Sequence, residues 1–225
     1  MNAQGKRSGE TAREYAYRMI REQVISLELK PGEAFNDMEF AAKIGVSRTP
    51  VREAVIQLSE ESRIIEIFPQ RGMRIAPTDV ELVEEARSLR VLLEKQIAGM
   101  CCEMATEEDI KWLQENVGLQ EFYMENSRPE MVMQLDDEMH HKLFMICHRE
   151  LTYGMCQKLA IHYDRIRSLS VNTVKDNTII EDHRKIIQFI AEHKKENAMA
   201  QMEKHLSRWQ LNEGKFRQEF PDYFK

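Results

Sequence analysis

Apolar residues recur at two different periods along this chain, and the period changes near residue 77. In "TAREYAYRMIREQVISLEL", Tyr15 or Ala16, Met19, Ile20, Ile25 and Leu27 fall at near-helical spacing, and the pattern stops at Pro31 and Gly32 of "KPGE". This predicts a helix over about 11–28. "DMEFAAKIG" predicts a short second helix with Phe40, Ala41 and Ile44 inward and Gly45 at its left-handed end. A third follows almost at once: Ser47 suits the N-cap, Pro50 is tolerated in the first turn, and Val51, Ala54, Val55 and Leu58 share one face. Two short helices this close have helix-turn-helix spacing. The chain then turns to β-branched residues on either side of Pro69-Gln70-Arg71-Gly72, which predicts strands near 64–68 and 73–76.

Beyond residue 78 the strand signals vanish. Apolar residues recur at helical spacing in six segments, at about 79–103, 106–126, 129–148, 151–171, 176–194 and 196–217. The expected fold is mainly α: a winged helix-turn-helix over residues 1–77, then an all-α antiparallel helical bundle over 78–225. No solenoid-like repeat is visible.

Composition narrows the class without changing this picture. With 225 residues, 42% of them hydrophobic and 31% charged, the chain can bury an ordinary globular core. It shows no long apolar run and no signal-peptide pattern, so a cytoplasmic protein without a membrane segment is expected. Cys101, Cys102, Cys147 and Cys156 follow no metal-finger spacing and read as buried thiols. Charge is shared unevenly. Residues 1–77 carry 12 basic and 11 acidic side chains, the remainder 20 and 27, so a nucleic-acid surface belongs in the first part.

"GVSRTPVREAV" supplies such a surface. With Val51, Ala54, Val55 and Leu58 inward, the start of the third helix exposes Ser47, Arg48, Thr49 and Arg52. Hydroxyls and helix-end amides hold phosphates, and arginine reads guanine in the major groove. Arg71 and Gly72 at the hairpin tip fit a wing that approaches a groove. The plainer alternative is a capped surface helix with scattered arginines, and the ordered combination of these elements weighs against it.

The strings "LKPGEAFNDMEFAAKIGVSRTPVREAVIQL" and "PQRGMRI" resemble the GntR transcription regulators. That resemblance implies a winged helix-turn-helix that reads a pseudo-palindromic double-stranded operator as a homodimer, with Ser47, Arg48, Thr49, Arg52 and Gly72 at contact positions. Two departures stand out: Met38 replaces a frequent DNA-touching arginine, and Ser62 replaces a frequent glycine before the wing.

In the bundle the informative stretch is "LDDEMHH", residues 135–141, which offers two acid–histidine pairs at i, i+4. At about 100° per residue, with Met139 as zero, the apolar arc runs from about −40° to about 140°. Asp136 and His140 fall inside it, near about 60° and 100°, while Asp137 and His141 fall at its edge or beyond. His183 interrupts Ile179, Ile180, Ile186, Ile187 and Ile190, and His205 interrupts Ala198, Met202 and Leu206. Any one of these reads most simply as a satisfied core histidine. Three, with an aspartate that needs a partner, make a first shell for a divalent ion such as Zn, Ni or Mn. His141, His148, His162 and His193 read as surface or structural residues.

"LDDEMHHKL", "EDHRKII" and "AMAQMEKHL" are similar to the FCD ligand-binding domain found in GntR regulators of the FadR-like type. The resemblance places Asp136, His140, His183 and His205 on that domain's metal quartet, and six helices lean toward its shorter variety. "RSLRVLLEKQIA" places Arg90 where an arginine lines the effector pocket; without the resemblance Arg90 reads more simply as a surface residue paired with Glu94. Arg165 and Arg167 in "DRIRSLS" are left unassigned.

The expected function is therefore a metabolite-responsive, dimeric DNA-binding regulator, a repressor released by a small carboxylate effector that completes the coordination of the bundle's metal. The alternatives are a metal-dependent hydrolase or lyase with an accessory DNA-binding domain, and a regulator whose metal is purely structural.

Overall fold

The structure, a computed structural model, describes residues 5–173 and 178–225. It divides into two compact units, Met1–Val80 with Arg217–Lys225, and Glu81–Phe216.

In the first unit α1 spans Ala12–Ile25. Thr11 and Glu14 close a reciprocal capping box at its start, satisfying two backbone donors that would otherwise lack partners. A two-residue strand β1, Ala34–Phe35, leads into α2, Asp37–Ile44. Asn36 caps α2 by accepting from the amides of Met38 and Glu39, and Gly45 ends it at φ 73°. The third helix, α3, spans Arg48–Ser62. Its Val51, Ala54, Val55 and Leu58 are fully buried, each of the three larger ones contributing about 1.5–3 kcal/mol of burial. Strands β2, Ile65–Phe68, and β3, Gly72–Ile75, form the hairpin. β3 lies between β1 and β2, antiparallel to both, with Ile65 opposite Ile75 and Phe68 opposite Gly72.

Ser62 does not bend the path into the wing. It stays helical, its hydroxyl donating to the Leu58 carbonyl at 2.8 Å, and Arg63 takes the left-handed conformation at φ 56°.

The remaining α-helices are α4 Val80–Met104, α5 Glu107–Glu125, α6 Pro129–Ile146, α7 Glu150–Leu159, α8 Ile161–Thr173, α9 Thr178–Ala191, α10 Lys195–Leu206 and α11 Trp209–Glu219, and between residues 81 and 216 the described residues form no strand. Residues 176 and 177, where the fifth expected segment began, lie outside the described residues.

Two of the six expected segments are broken in two, giving eight helices among the described residues. Neither break contains Gly or Pro. At Ala160 the backbone keeps helical dihedrals, so a regular pattern of side chains runs through it. At Ser207 the amide donates to the Lys204 carbonyl, three residues back, which tightens the turn, and the hydroxyl donates to the Glu203 carbonyl.

Three other helix ends share one closure. Ser127, His148 and His193 adopt left-handed φ of 54°, 54° and 55°, and the next amide reaches back five residues, Arg128 to Tyr123, Arg149 to Phe144 and Lys194 to Phe189. This is the Schellman arrangement without its usual glycine.

The bundle core joins Ile97 and Ala98 of α4, Leu113 and Val117 of α5, Met139, Leu143 and Phe144 of α6, Ile186, Ile187 and Ile190 of α9, and Met202 of α10. All four cysteines are buried and free. Among the described residues no helix is long and apolar enough to cross a membrane.

One boundary needs correction. The bundle was expected to run from 78 to 225, yet residues 217–225 group with the winged unit. The Thr78 amide donates to the Tyr223 carbonyl at 2.6 Å, the Lys225 amide donates to the Thr78 carbonyl at 3.1 Å, and Lys225 Nζ pairs with Asp79 at 2.9 Å. A pairing between residues so distant in sequence leaves no periodic trace.

Candidate functional site

The residues expected to contact DNA gather at the start of α3. Ser47, Arg48, Thr49 and Arg52 are all exposed there. Ser47 is the N-cap by position, but its side chain caps nothing, so the hydroxyl stays available to a phosphate.

Arg48 and Arg52 converge on one acid that the sequence reading missed. Asp37, only 3% exposed, accepts from Arg48 Nε at 3.0 Å and Arg52 Nη1 at 3.3 Å. The arginine side chains remain 57% and 55% exposed, so one buried carboxylate orders two guanidinium groups that still face solvent. Arg71 and Gly72 sit on the hairpin instead. Arg71 is exposed, and Gly72 at φ 98° has no atom within 4 Å of where a Cβ would stand, which leaves the backbone open at the tip. Met38 is 62% exposed on α2.

In the bundle, α6 contributes Asp136 and His140, α9 His183 and α10 His205, all four buried. One donor atom from each lies within 4.8 Å of the other three. His183 Nε2 is 3.3 Å from His205 Nε2 and 3.3 Å from Asp136 Oδ1, and His140 Nε2 is 3.8 Å from Asp136 Oδ2.

The outer partners decide what those nitrogens present. His183 Nδ1 meets Gln120 Oε1 at 2.8 Å, and Gln120 is fixed in turn by donating to Asn116 at 2.7 Å. With the proton on Nδ1, Nε2 turns a lone pair inward. His140 Nδ1 lies 2.5 Å from Glu94 Oε2 in an ion-pair contact, and His205 Nδ1 lies 3.9 Å from Asp182 Oδ2, too far for a hydrogen bond. His140 Nε2 has no hydrogen-bond partner among the described residues.

Electrostatics favour the same protonation states. Burial pushes His183 down to about 4, with Asp136 pulling it back and His140 reinforcing the fall, and burial holds His205 well below its usual range. Burial would raise Asp136, but Arg167 and the facing histidines outweigh it and keep the carboxylate ionised. Lowered His183 and His205 imidazoles beside an ionised carboxylate, with the orphaned buried Nε2 of His140 next to them, fit a divalent cation.

Arg90 is no surface residue. It is 5% exposed, its Nε donates to Glu94 Oε1 at 2.5 Å, and its guanidinium lies 5.3 Å from the centre of the Tyr163 ring. Burial raises Glu94, yet Arg90 and His140 together bring it down to about 2. Arg90 Nη1 has no hydrogen-bond partner among the described residues. It lines a cavity of about 50 Å³ together with Asp136, His205, Tyr163, Arg167 and Arg208.

Arg167, left unassigned from the sequence, thus belongs to this site. Asp137 is half-exposed as expected from its phase, but it accepts from Arg167 at 2.9 Å rather than facing only solvent. His141 stacks on Tyr153 at 4.4 Å. The sequence did hold one signal for Gln120, a polar side chain on the apolar stripe of Leu113, Val117 and Met124.

Comparison with known proteins places both units. The family model described as bacterial regulatory proteins of the gntR family matches residues 12–75, and the FCD domain model matches residues 85–208. The chain is 27% identical over 209 residues to the HTH-type transcriptional repressor RspR of Escherichia coli K12, covering 92% of this chain and 91% of that one. It is 26% identical over 185 residues to the Nta operon transcriptional regulator of Aminobacter aminovorans, covering 82% and 86%. The solved structure of E. coli McbR/YncC superposes with a TM-score of 0.78 at 17% identity, covering 93% of this chain and 99% of that one, a likeness of fold. The two family models between them match most of the chain, the relatives are named as transcription regulators, and the chain belongs to the GntR family of DNA-binding transcription regulators with an FCD domain.

Proposed function

We propose that the chain is a homodimeric repressor that leaves a pseudo-palindromic operator when a small carboxylate binds at a divalent ion, Zn, Ni or Mn, held by Asp136, His140, His183 and His205. The observation that carries this is the shared cavity. Two of the four donors, Asp136 and His205, line the same space as Arg90 and its unpartnered Nη1. A carboxylate there can meet a cationic donor on one side and the metal cluster on the other. A volume of about 50 Å³ suits the head of a small acid.

Bound metal supplies a Lewis-acidic point for an anionic oxygen. The protein supplies the rest: Gln120, Glu94 and Asp182 lie beside the imidazoles' outer nitrogens, Arg90 offers a hydrogen bond, and apolar side chains such as Val132 and Ile166 complete the cavity wall. Release of DNA then requires only that the effector bind the DNA-incompetent state more tightly than the competent one. Ser47, Arg48, Thr49, Arg52, Arg71 and Gly72 form the DNA surface in this reading. The hydrolase or lyase alternative gains nothing from the relatives, which are named as transcription regulators.

Metal analysis with thermal-shift screening of small carboxylates, with and without chelator, tests the proposal. The expected result is metal bound by the wild type, loss of it in His183→Ala and His205→Ala, and a carboxylate response that disappears with chelator. Wild-type metal content in both variants would overturn the quartet. Turnover of a responding acid would favour the enzyme, and metal uptake with no response to any acid would favour a structural site.

A further inference from the structure

Arg167 of α8 forks across three carboxylates. Its Nη1 donates to Asp164 Oδ1 at 2.7 Å, and its Nη2 donates to Asp137 Oδ1 at 2.9 Å and also to Oδ2 of Asp136. The two oxygens of Asp136 therefore have different surroundings. Oδ1 lies 3.3 Å from His183 Nε2, inside the quartet, while Oδ2 is held by Arg167 although it is only 3.8 Å from His140 Nε2.

A carboxylate can give a metal one oxygen or two. If Arg167 let go, Oδ2 would stand close enough to the histidines to face the cluster beside Oδ1.

The charge of Arg167 sharpens the point. A guanidinium next to a cation site repels the cation, so this is a poor residue to place there if tight metal binding were its sole task. It also lines the cavity shared with Arg90, where an anion would enter.

We propose that Arg167 is a positioning residue that withholds Oδ2 of Asp136 from the quartet, so that the protein presents four donor atoms instead of five and leaves a place for an oxygen of the effector. This rests on the metal-and-carboxylate reading above. Arg167 gives up some metal affinity and in return keeps the site responsive to acids. Asp137 and Asp164 balance its charge and fix the plane of its fork.

Cobalt(II) and acetate serve as probes with the full-length chain. Cobalt affinity is measured by chelator competition, and the visible d–d absorption of the bound ion is followed as acetate is added. Wild type takes up cobalt and its spectrum changes with acetate. Arg167→Gln binds cobalt at least as tightly as wild type, yet needs more than about tenfold more acetate for the same change, within the range of outer-shell effects on metal sites. Arg167→Lys keeps a cation beside Oδ2 and recovers most of the acetate response.

If Arg167→Gln does not fold because the ion pair with Asp164 is lost, the comparison is made with Arg167→Gln/Asp164→Asn. Cobalt and acetate binding lost together would mark a merely structural role and overturn the proposal. So would an unchanged acetate response. Wild type that takes up no cobalt sinks the metal reading itself, whereas normal uptake with an unaltered response in Arg167→Gln sinks only the role of Arg167.

Discussion

The recognition helix and the bundle site both use a buried acid to order basic groups, and they differ in what the basic groups face. At α3, Asp37 is buried while Arg48 and Arg52 stay more than half exposed. In the bundle Glu94, Arg90 and His140 are all at or below 5% exposure. Water screens the first arrangement, so its ion pairs add little to stability and the guanidinium groups can exchange Asp37 for DNA at small cost. The second is unscreened, and each charge there depends on the others. Under the proposed function, the surface that would meet a polyanion can remain loose, whereas the site that would hold one small ligand is assembled before the ligand arrives.

The largest expected effect comes from breaking the buried side. Glu94→Ala strands Arg90 and removes the partner of His140, and should destabilise the chain by about 3–5 kcal/mol in chemical denaturation. The effect has a pH signature. Because Glu94 is lowered to about 2 from an ordinary 4.5, its stabilisation is complete above pH 4.5 and is lost as pH falls through about 2. The gap between wild type and variant should narrow over that window, and a constant gap would mean that packing, not charge, holds the site.

An intermediate effect is expected on the exposed side. Arg52→Ala should weaken binding to an operator selected from a random pool by about 1–3 kcal/mol at matched salt. Its stability should stay within about 0.5 kcal/mol of wild type. Equal affinity for operator would remove Arg52 from the recognition surface.

Met38→Arg should produce the smallest change, since it adds a charge to an already exposed position on α2. The salt dependence of DNA binding should steepen by about one counterion, with a modest gain in affinity for any sequence. No change in slope would place Met38 away from the duplex.

The two regions were also legible to different depths. The start of α3 could be read because everything it needs is local: a cap, an early proline and an apolar face within a dozen residues. The quartet could be read because phase alone puts Asp136, His140, His183 and His205 on stripes where polar side chains are costly. What stayed hidden depends on partners distant in the chain. Asp37 is eleven residues from Arg48, Gln120 is sixty-three from His183, and Thr78 pairs with the chain's last residues. β1 is two residues long, too short for any period to show. Arg167 could be placed near the cavity but given no role until the fold brought Asp136, Asp137 and Asp164 around it.

The three helix ends closed by Ser127, His148 and His193 hold an unused thermal margin. Each keeps a side chain in a backbone conformation that costs L-residues about 1–2 kcal/mol and costs glycine almost nothing. All three residues lie at bends between helices, outside both the quartet and the recognition surface. Glycine at Ser127 and His148 should raise the melting temperature, whereas His193→Gly would also give up the 2.6 Å contact of its Nδ1 with the Cys102 carbonyl, so the stability of this regulator can be raised at bends that neither the quartet nor the start of α3 uses.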